Sequence, residues 1–550
     1  MQSKITLKVV YIYVLWDTGS SVRPANNQRK RERTMRSSGG PVVIISGFLC
    51  LFCFVALLFK IFHKIWWTPN RIQKLMASQG IRGPPYRLIH GNTKEISNMH
   101  KEARNRPLGL SHNIFAYVEP HVDSWSNIYG KNYLQWLGSR AQLVIREPEL
   151  CKQILNNKDG AYPKKPPEDF AKKLLGYGLV TAEAEKWVKL RKISNHAFHG
   201  ESLKTMIPDM IAGTEIMLER WRSHEGKEIE VFEEFRLFTS DVISRTAFGS
   251  SYLEGQHIFE MLMELTLLLF KNSLKIKVPG FSKFFDTSDE IESEKLEKGI
   301  RDSIIELVKK RERKATSGEE DSFGSDFLGS LLKAHHDANQ NQRISVDDLV
   351  DDCKTFYFAG QETTNTLIAW TVFLLAVHTD WQEEARKEVL QLFGKQNPNP
   401  DGISKLKTMS MILNETLRLY PPIVAIPRNT GREVRLGKLI VPANVDLLVS
   451  VLAPHHEPQF WGPDVHLFKP ERFSGGVAKA TINHVGAFVP FGLGPRTCVG
   501  MNFATTEAKI ALSMILQRYS FTLSPAYIHS PTHKITLRPQ HGLQVLLQPL

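Results

Sequence analysis

The chain has 550 residues, 42% of them hydrophobic and 23% charged, with a formal net charge of +13. This composition excludes a mostly disordered chain, and the length accommodates one large core. The positive balance points to an acidic neighbour, whether lipid headgroup, protein or nucleic acid. The cysteines Cys50, Cys53, Cys151, Cys353 and Cys498 show no CxxC spacing outside a hydrophobic run, which suits a reducing compartment.

In chain order, residues 1–41 read as a basic tail. The run RKRERTMR places positive charge before the first apolar stretch and competes with Lys60, Lys64, Arg71 and Lys74 after it. Residues 1–34 are therefore expected to be a non-native extension or an alternative start, with Met35 as the natural beginning. Residues 42–59 are uncharged and mostly apolar, and the segment 42–67 is long enough for a transmembrane anchor. Trp66 and Trp67 fall where interfacial aromatics belong. Residues 68–85, basic and ending in Pro84-Pro85, are expected to form a hinge, and 86–550 a single domain.

Short aromatic and β-branched runs between Trp125 and Val144 predict a few strands, and helical periodicity dominates from Glu147, so the class is mainly α with minor β. Residues 309–326, KKRERKATSGEEDSFGSD, lack an apolar face and are expected as a surface loop. Ser345 and Asp348 have capping-box spacing, and a helix is predicted from there to about residue 379, spanning ~52 Å. Its second half, TLIAWTVFLLAV, is apolar on nearly every face and must be central. The final stretch, SFTLSPAYIHSPTHKITLRPQHGLQVLL, alternates like a β-hairpin.

The strongest chemical signal is FGLGPRTCVG at 491–500, where three glycines and a proline shape a loop around a lone thiol just before a helical stretch. Glycine permits positive φ and close approach to a flat ligand, and a thiolate at a helix N-terminus is stabilised by aligned N–H groups. This run resembles the heme-binding signature of the cytochrome P450 superfamily at Phe491, Gly492, Gly494, Arg496, Cys498 and Gly500. The likeness extends from about residue 84 to the C-terminus. It implies a triangular helical prism with small β-sheets behind one N-terminal transmembrane helix. It implies heme b, iron protoporphyrin IX, with Cys498 as the iron ligand and Arg496 on a propionate.

In AGQETT, Gly360 sits mid-helix at a cost of roughly 1 kcal/mol relative to alanine, which suggests open space beside it for dioxygen and substrate; the alternative is that it admits a neighbouring helix. By resemblance Thr363 and Glu362 are catalytic, serving a proton network. Trp187 and Arg191 lie one helical turn apart, and the family uses such a pair for a heme propionate; Arg428 is a further candidate. Glu415 and Arg418, with Arg472 in KPERF, resemble the family's structural triad. Resemblance places the substrate pocket at Phe356, Ala359, Gly360, Ile423, Val424 and Ala425, with further contacts in 160–180, near Leu267 to Phe270 and near Tyr527 to His529.

Two segments, FEEFRLFTSDVISRTAFGSSYLEG and HSPTHKITLRPQHGLQV, resemble a plant, microsomal-type clan acting on terpenoids, steroids, fatty acids and hormone precursors. The resemblance implies an oxygen-dependent monooxygenase acting on a lipophilic small molecule, with NADPH electrons through a separate NADPH–cytochrome P450 reductase. It implies no nucleic acid partner. The chain would sit in the endoplasmic reticulum membrane as a single-pass protein with a cytosolic catalytic domain. Lys186, Lys189, Arg191 and Lys192 would meet the acidic reductase, and residues 274–285 resemble a loop dipping into membrane lipid. A heme-thiolate isomerase or dehydratase, or a membrane-tethered heme- and ligand-binding protein without turnover, are the competing readings.

Overall fold

The computed structural model describes residues 39–167, 169–272, 287–317 and 322–550. Two compact units divide the chain, Met1–Lys64 and Ile65–Leu550. Helix α1 (Gly39–Phe62) belongs to the first unit. It opens a helical stretch long and apolar enough to cross a membrane, and its apolar residues from Ile44 onward are exposed. The expectations for residues 1–34 and for 274–285 lie outside the described residues.

The second unit begins with a departure from expectation. Residues 68–85 were expected to be a hinge, but α2 (Thr68–Ser78) buries Pro69 and Met76. Met76 joins Leu134 and Trp136 of strand β1 (Tyr133–Leu137) in one apolar cluster, with Ile72, Ile81 and Tyr86 packed against it. The Leu134 amide donates to Arg82 O at 2.9 Å. A Cβ on Gly83 would fall 1.7 Å from Leu134 O, so only glycine allows this approach. The apolar residues of the segment gain more by burial against the sheet than a free hinge would allow.

Strand β1 pairs with β2 (Arg140–Ile145), and the four-stranded sheet is completed by β3 (Ala425–Asn429) and β4 (Asp446–Ser450) in the order β1-β2-β4-β3. Strands β2 and β4 run parallel with Leu143 opposite Leu447. All of β2 after Arg140 is buried, the pattern of a strand covered on both faces.

The larger core is helical. Around it lie α3 (Ala184–Phe198), α4 (Val231–Phe248), α5 (Tyr252–Asn272), α6 (Ser288–Ser317), α7 (Phe327–His335), α8 (Val346–Val377), α9 (Lys407–Leu419) and α10 (Met501–Arg518). Helix α8 is the spine. Its N-cap is the expected capping box, with the Asp348 amide donating to Ser345 Oγ and the Ser345 amide to the Asp348 carboxylate. From Asp352 to Ala376 every residue of α8 is buried except Phe358, Ala359, Gly360 and Thr363. A central helix with one local exposure faces an internal recess at that point.

Two expectations about loops are corrected. The surface loop at 309–326 is helical as far as Ser317, because α6 carries straight through. Arg311 supplies the docking that an apolar stripe would otherwise give, donating to Phe248 O and Phe323 O and pairing with Asp326 at 2.9 Å. The C-terminal alternation is two nested pairings, not one hairpin. Strands β6 (Pro531–His533) and β7 (Leu537–Pro539) form a short hairpin, and β8 (Gln544–Pro549) returns to β5 (Tyr519–Leu523) and to the short strand Glu228–Glu230.

Candidate functional site

The loop before α10 is built by its glycines. Gly492 and Gly494 hold φ of +74° and +73°, a conformation that side chains rarely adopt. At Gly494 a Cβ would lie 2.5 Å from Leu155 O, so this turn also needs the missing side chain to seat itself. The Cys498 amide closes the loop by donating to Phe491 O at 2.9 Å. Cys498 itself has accessible surface. Yet protein surrounds it closely enough that desolvation pushes its thiol pKa up, against the Gly500 amide and the Arg191 charge that lower it. A residue both accessible and desolvated lines a recess. A metal ion deprotonates a coordinating thiol outright.

Beside the loop stands a cluster of cations with too little negative charge. Arg496 pairs with Glu183 at 2.7 Å, donates to Ala182 O at 2.7 Å and lies 4.5 Å from the Trp187 ring centroid. Arg428, on β3, is 5% exposed; desolvation and then Arg496 lower its pKa to about 10. Lys164 is lowered to about 7 by desolvation and by Arg428 and Arg496, with only Glu183 raising it. Three cations thus share one carboxylate. Desolvated like charges are costly unless an anion joins them. A flat ligand carrying two carboxylates suits this cluster, and a soft metal ion suits the thiol of the adjoining loop.

On α8, Glu362 is 7% exposed and accepts from Thr536 Oγ1 at 2.6 Å, with Arg538 at 3.7 Å. Desolvation raises its pKa, while Arg538 and Thr536 pull it down. Thr363 donates to Ala359 O at 2.7 Å, one turn earlier, and both residues face the recess. Gly360 is a correction to the open-space expectation. Its missing Cβ would meet Ile243 Cδ1 of α4 at 2.7 Å, so close helix packing is what requires the glycine.

Below the loop, Glu415 and Arg418 are fully buried and bonded through two parallel contacts of 2.7 Å. Arg418 also donates to the carbonyls of His455, Val465 and Leu467. Arg472 lies 3.5 Å from Glu415 and pairs with Asp464 at 2.8 Å. Every polar edge of the pair is used internally, which is the condition under which a buried ion pair is tolerated.

The cytochrome P450 family profile matches residues 113–547. The chain belongs to the cytochrome P450 family. It is 59% identical over 504 residues to cytochrome P450 CYP749A22 of Panax ginseng, covering 91% of this chain and 96% of that one. It is 39% identical to the 7-deoxyloganic acid hydroxylase of Catharanthus roseus, covering 90% and 96%. Among solved structures, retinoic acid bound cyanobacterial CYP120A1 aligns with a TM-score of 0.68 at 23% identity, over 79% of this chain and 96% of that one, which supports the mainly helical fold with small sheets. The protein is thus a heme-thiolate P450 of plant type and an oxidoreductase of the monooxygenase kind, with one N-terminal helix that fits a membrane anchor.

Several residues expected at the P450 site stand elsewhere. Phe356 is 6% exposed and stacks on Phe198 at 5.0 Å, with Phe327 at 4.0 Å, so its ring belongs to the helical core and not to a substrate pocket. Val424 is 1% exposed, its carbonyl accepting from the Val451 and Leu452 amides, while Ile423 and Ala425 on either side remain half-buried. Tyr527 and His529 are buried in an aromatic cluster, where His529 stacks on Phe373 at 4.7 Å. Arg191 spends a guanidinium hydrogen on Thr497 O at 2.6 Å, bracing the cysteine loop from α3. Of the expected basic docking face, Lys186 pairs with Asp348, leaving Lys189 half-exposed and Lys192 exposed.

Lys164, Glu183, Thr536 and Arg538 were missed by sequence reasoning. Lys164 lies 332 positions before Arg496 by their numbering, and nothing in its flanking residues marks it. Thr536 and Arg538 sit in an alternating strand pattern that shows only that one face is buried.

Proposed function

We propose that this P450 inserts one oxygen atom of O2 into a lipophilic small molecule, drawing NADPH electrons through a separate flavoprotein reductase. The observation that carries the reading is a lone thiol facing a recess beside three cations that share one carboxylate. Cys498 would bind the iron of heme b, and Arg496, Arg428, Lys164 and Trp187 would receive its propionates. Phe491, Gly492 and Gly500 shape the loop, and Arg191 braces it. The heme, when bound, supplies oxygen activation favoured by thiolate donation.

The residues of α8 would handle protons. Glu362, with its raised pKa, holds a proton further toward neutrality than a free carboxyl, and Thr536 and Arg538 hold it in place. The Thr363 hydroxyl stands one residue on and faces the recess. Ala359, Phe358, Ile423 and Ala425 offer half-buried, mostly apolar surface for a hydrophobic substrate. The hydroxylase among the relatives supports hydroxylation as the reaction. Residues 42–67 would anchor the chain in the endoplasmic reticulum membrane with the catalytic domain cytosolic, and Lys189 and Lys192 would steer the reductase.

The test uses purified protein with reductase, NADPH and O2, screened against lipophilic plant metabolites by the heme spin-state shift and by product formation. Cys498→Ala is expected to lose both the thiolate signature of the reduced CO complex and turnover. A variant that kept both would refute the assignment.

A further inference from the structure

Away from the cysteine loop, four side chains with metal-binding chemistry converge where the N-terminal helices meet the C-terminal hairpin. His100 lies on the helix Thr93–Arg104, and Glu119 and His121 flank Pro120 at the start of the helix Pro120–Tyr129. One donor atom from each of His100, Glu119 and His121 lies within 4.8 Å of the others. His533, at the end of β6, places Nδ1 2.9 Å from Glu119 Oε1.

We propose that His100, Glu119 and His121, with His533 bound to the same carboxylate, form a site for a divalent transition metal ion of the zinc type. Two imidazoles and a carboxylate, with a third imidazole in reach, are the donor set that zinc prefers. His121 is 5% exposed, and its Nδ1 has no hydrogen-bond partner. A buried unpartnered ring nitrogen is costly in a purely structural cluster and useful in a ligand set, since the tautomer can place the lone pair on either nitrogen. The Trp125 ring packs edge-on against His121 at 5.7 Å and the His100 ring lies 5.3 Å away, so the imidazole is held in place.

Zinc bonds of about 2.0–2.1 Å put tetrahedral donors about 3.4 Å apart, so small side-chain rotations would close the shell. His533 stands three residues before Thr536, which holds Glu362, so an ion here would pin that hairpin to the two N-terminal helices.

Full-length, heme-loaded protein is stripped with a chelator, equilibrated with Zn2+, desalted, and assayed for zinc per heme by elemental mass spectrometry. About one zinc per heme is expected for the wild type, with retention falling at least about tenfold in His121→Gln and Glu119→Gln while the reduced CO spectrum stays unchanged. If His121→Gln fails to retain heme, the more exposed His100→Gln carries the same test. A wild-type protein that takes up no zinc, or ligand variants that keep it in full, would overturn the proposal.

Discussion

Lys164 shows most directly how one residue can matter without a motif. Its pKa of about 7 reflects desolvation and two arginine neighbours, so an added anion relieves a charge the fold has already desolvated. Lys164→Met is expected to release heme to an acceptor protein at least about tenfold faster, as loss of a charge-assisted hydrogen bond of about 1.5–3 kcal/mol requires. Unchanged release would remove Lys164 from the propionate set. Cys498, Arg496 and Gly500 stand out as candidates in the sequence because the loop concentrates rare residue types in ten positions. The roles of Phe356 and Val424 were not legible, since a ring on a helix or a branched chain just before a strand gives no sign of which neighbour it meets.

At the scale of elements, the packing of α4 on α8 gives a sharp test. Gly360→Ala would drive a methyl group into Ile243 and is expected to cost about 1–3 kcal/mol, the range for overpacking a tight core. Ile243→Ala in the same chain should recover much of that loss in chemical denaturation. If Gly360→Ala leaves stability intact and changes only substrate preference, open space and not packing explains the glycine.

Helix α8 also carries a pH-sensitive joint. Asp352 accepts the Leu179 amide at 2.6 Å, and desolvation raises its pKa from 3.8 to about 7. With the folded pKa above the unfolded one, the folded state holds the proton more tightly. The contribution is therefore full below 3.8 and is lost as pH rises through about 7. The thermal midpoint of the wild type should fall across that window relative to Asp352→Asn, and a constant difference between the two would contradict the assignment.

For the whole molecule, the division at Lys64 and Ile65 separates an exposed apolar helix from the unit that holds all the named site residues. Removing residues 1–64 is expected to leave the reduced CO spectrum intact while the membrane-bound fraction falls on centrifugation. Loss of the spectrum would show that the first unit is required for folding.

The sequence by itself determined the apolar N-terminal helix, the capped spine helix, the cysteine loop and the Glu415–Arg418 pair, because each is written in local order: an apolar run, a capping box, clustered glycines, a three-residue spacing. Only the tertiary structure decided that residues 68–85 dock on the sheet, that Gly360 makes way for Ile243, and that Lys164 joins Arg428 and Arg496. The same holds for the meeting of His100, Glu119, His121 and His533. Those outcomes depend on which distant side chains share a desolvated space, and such proximity is set by packing, not by spacing along the chain.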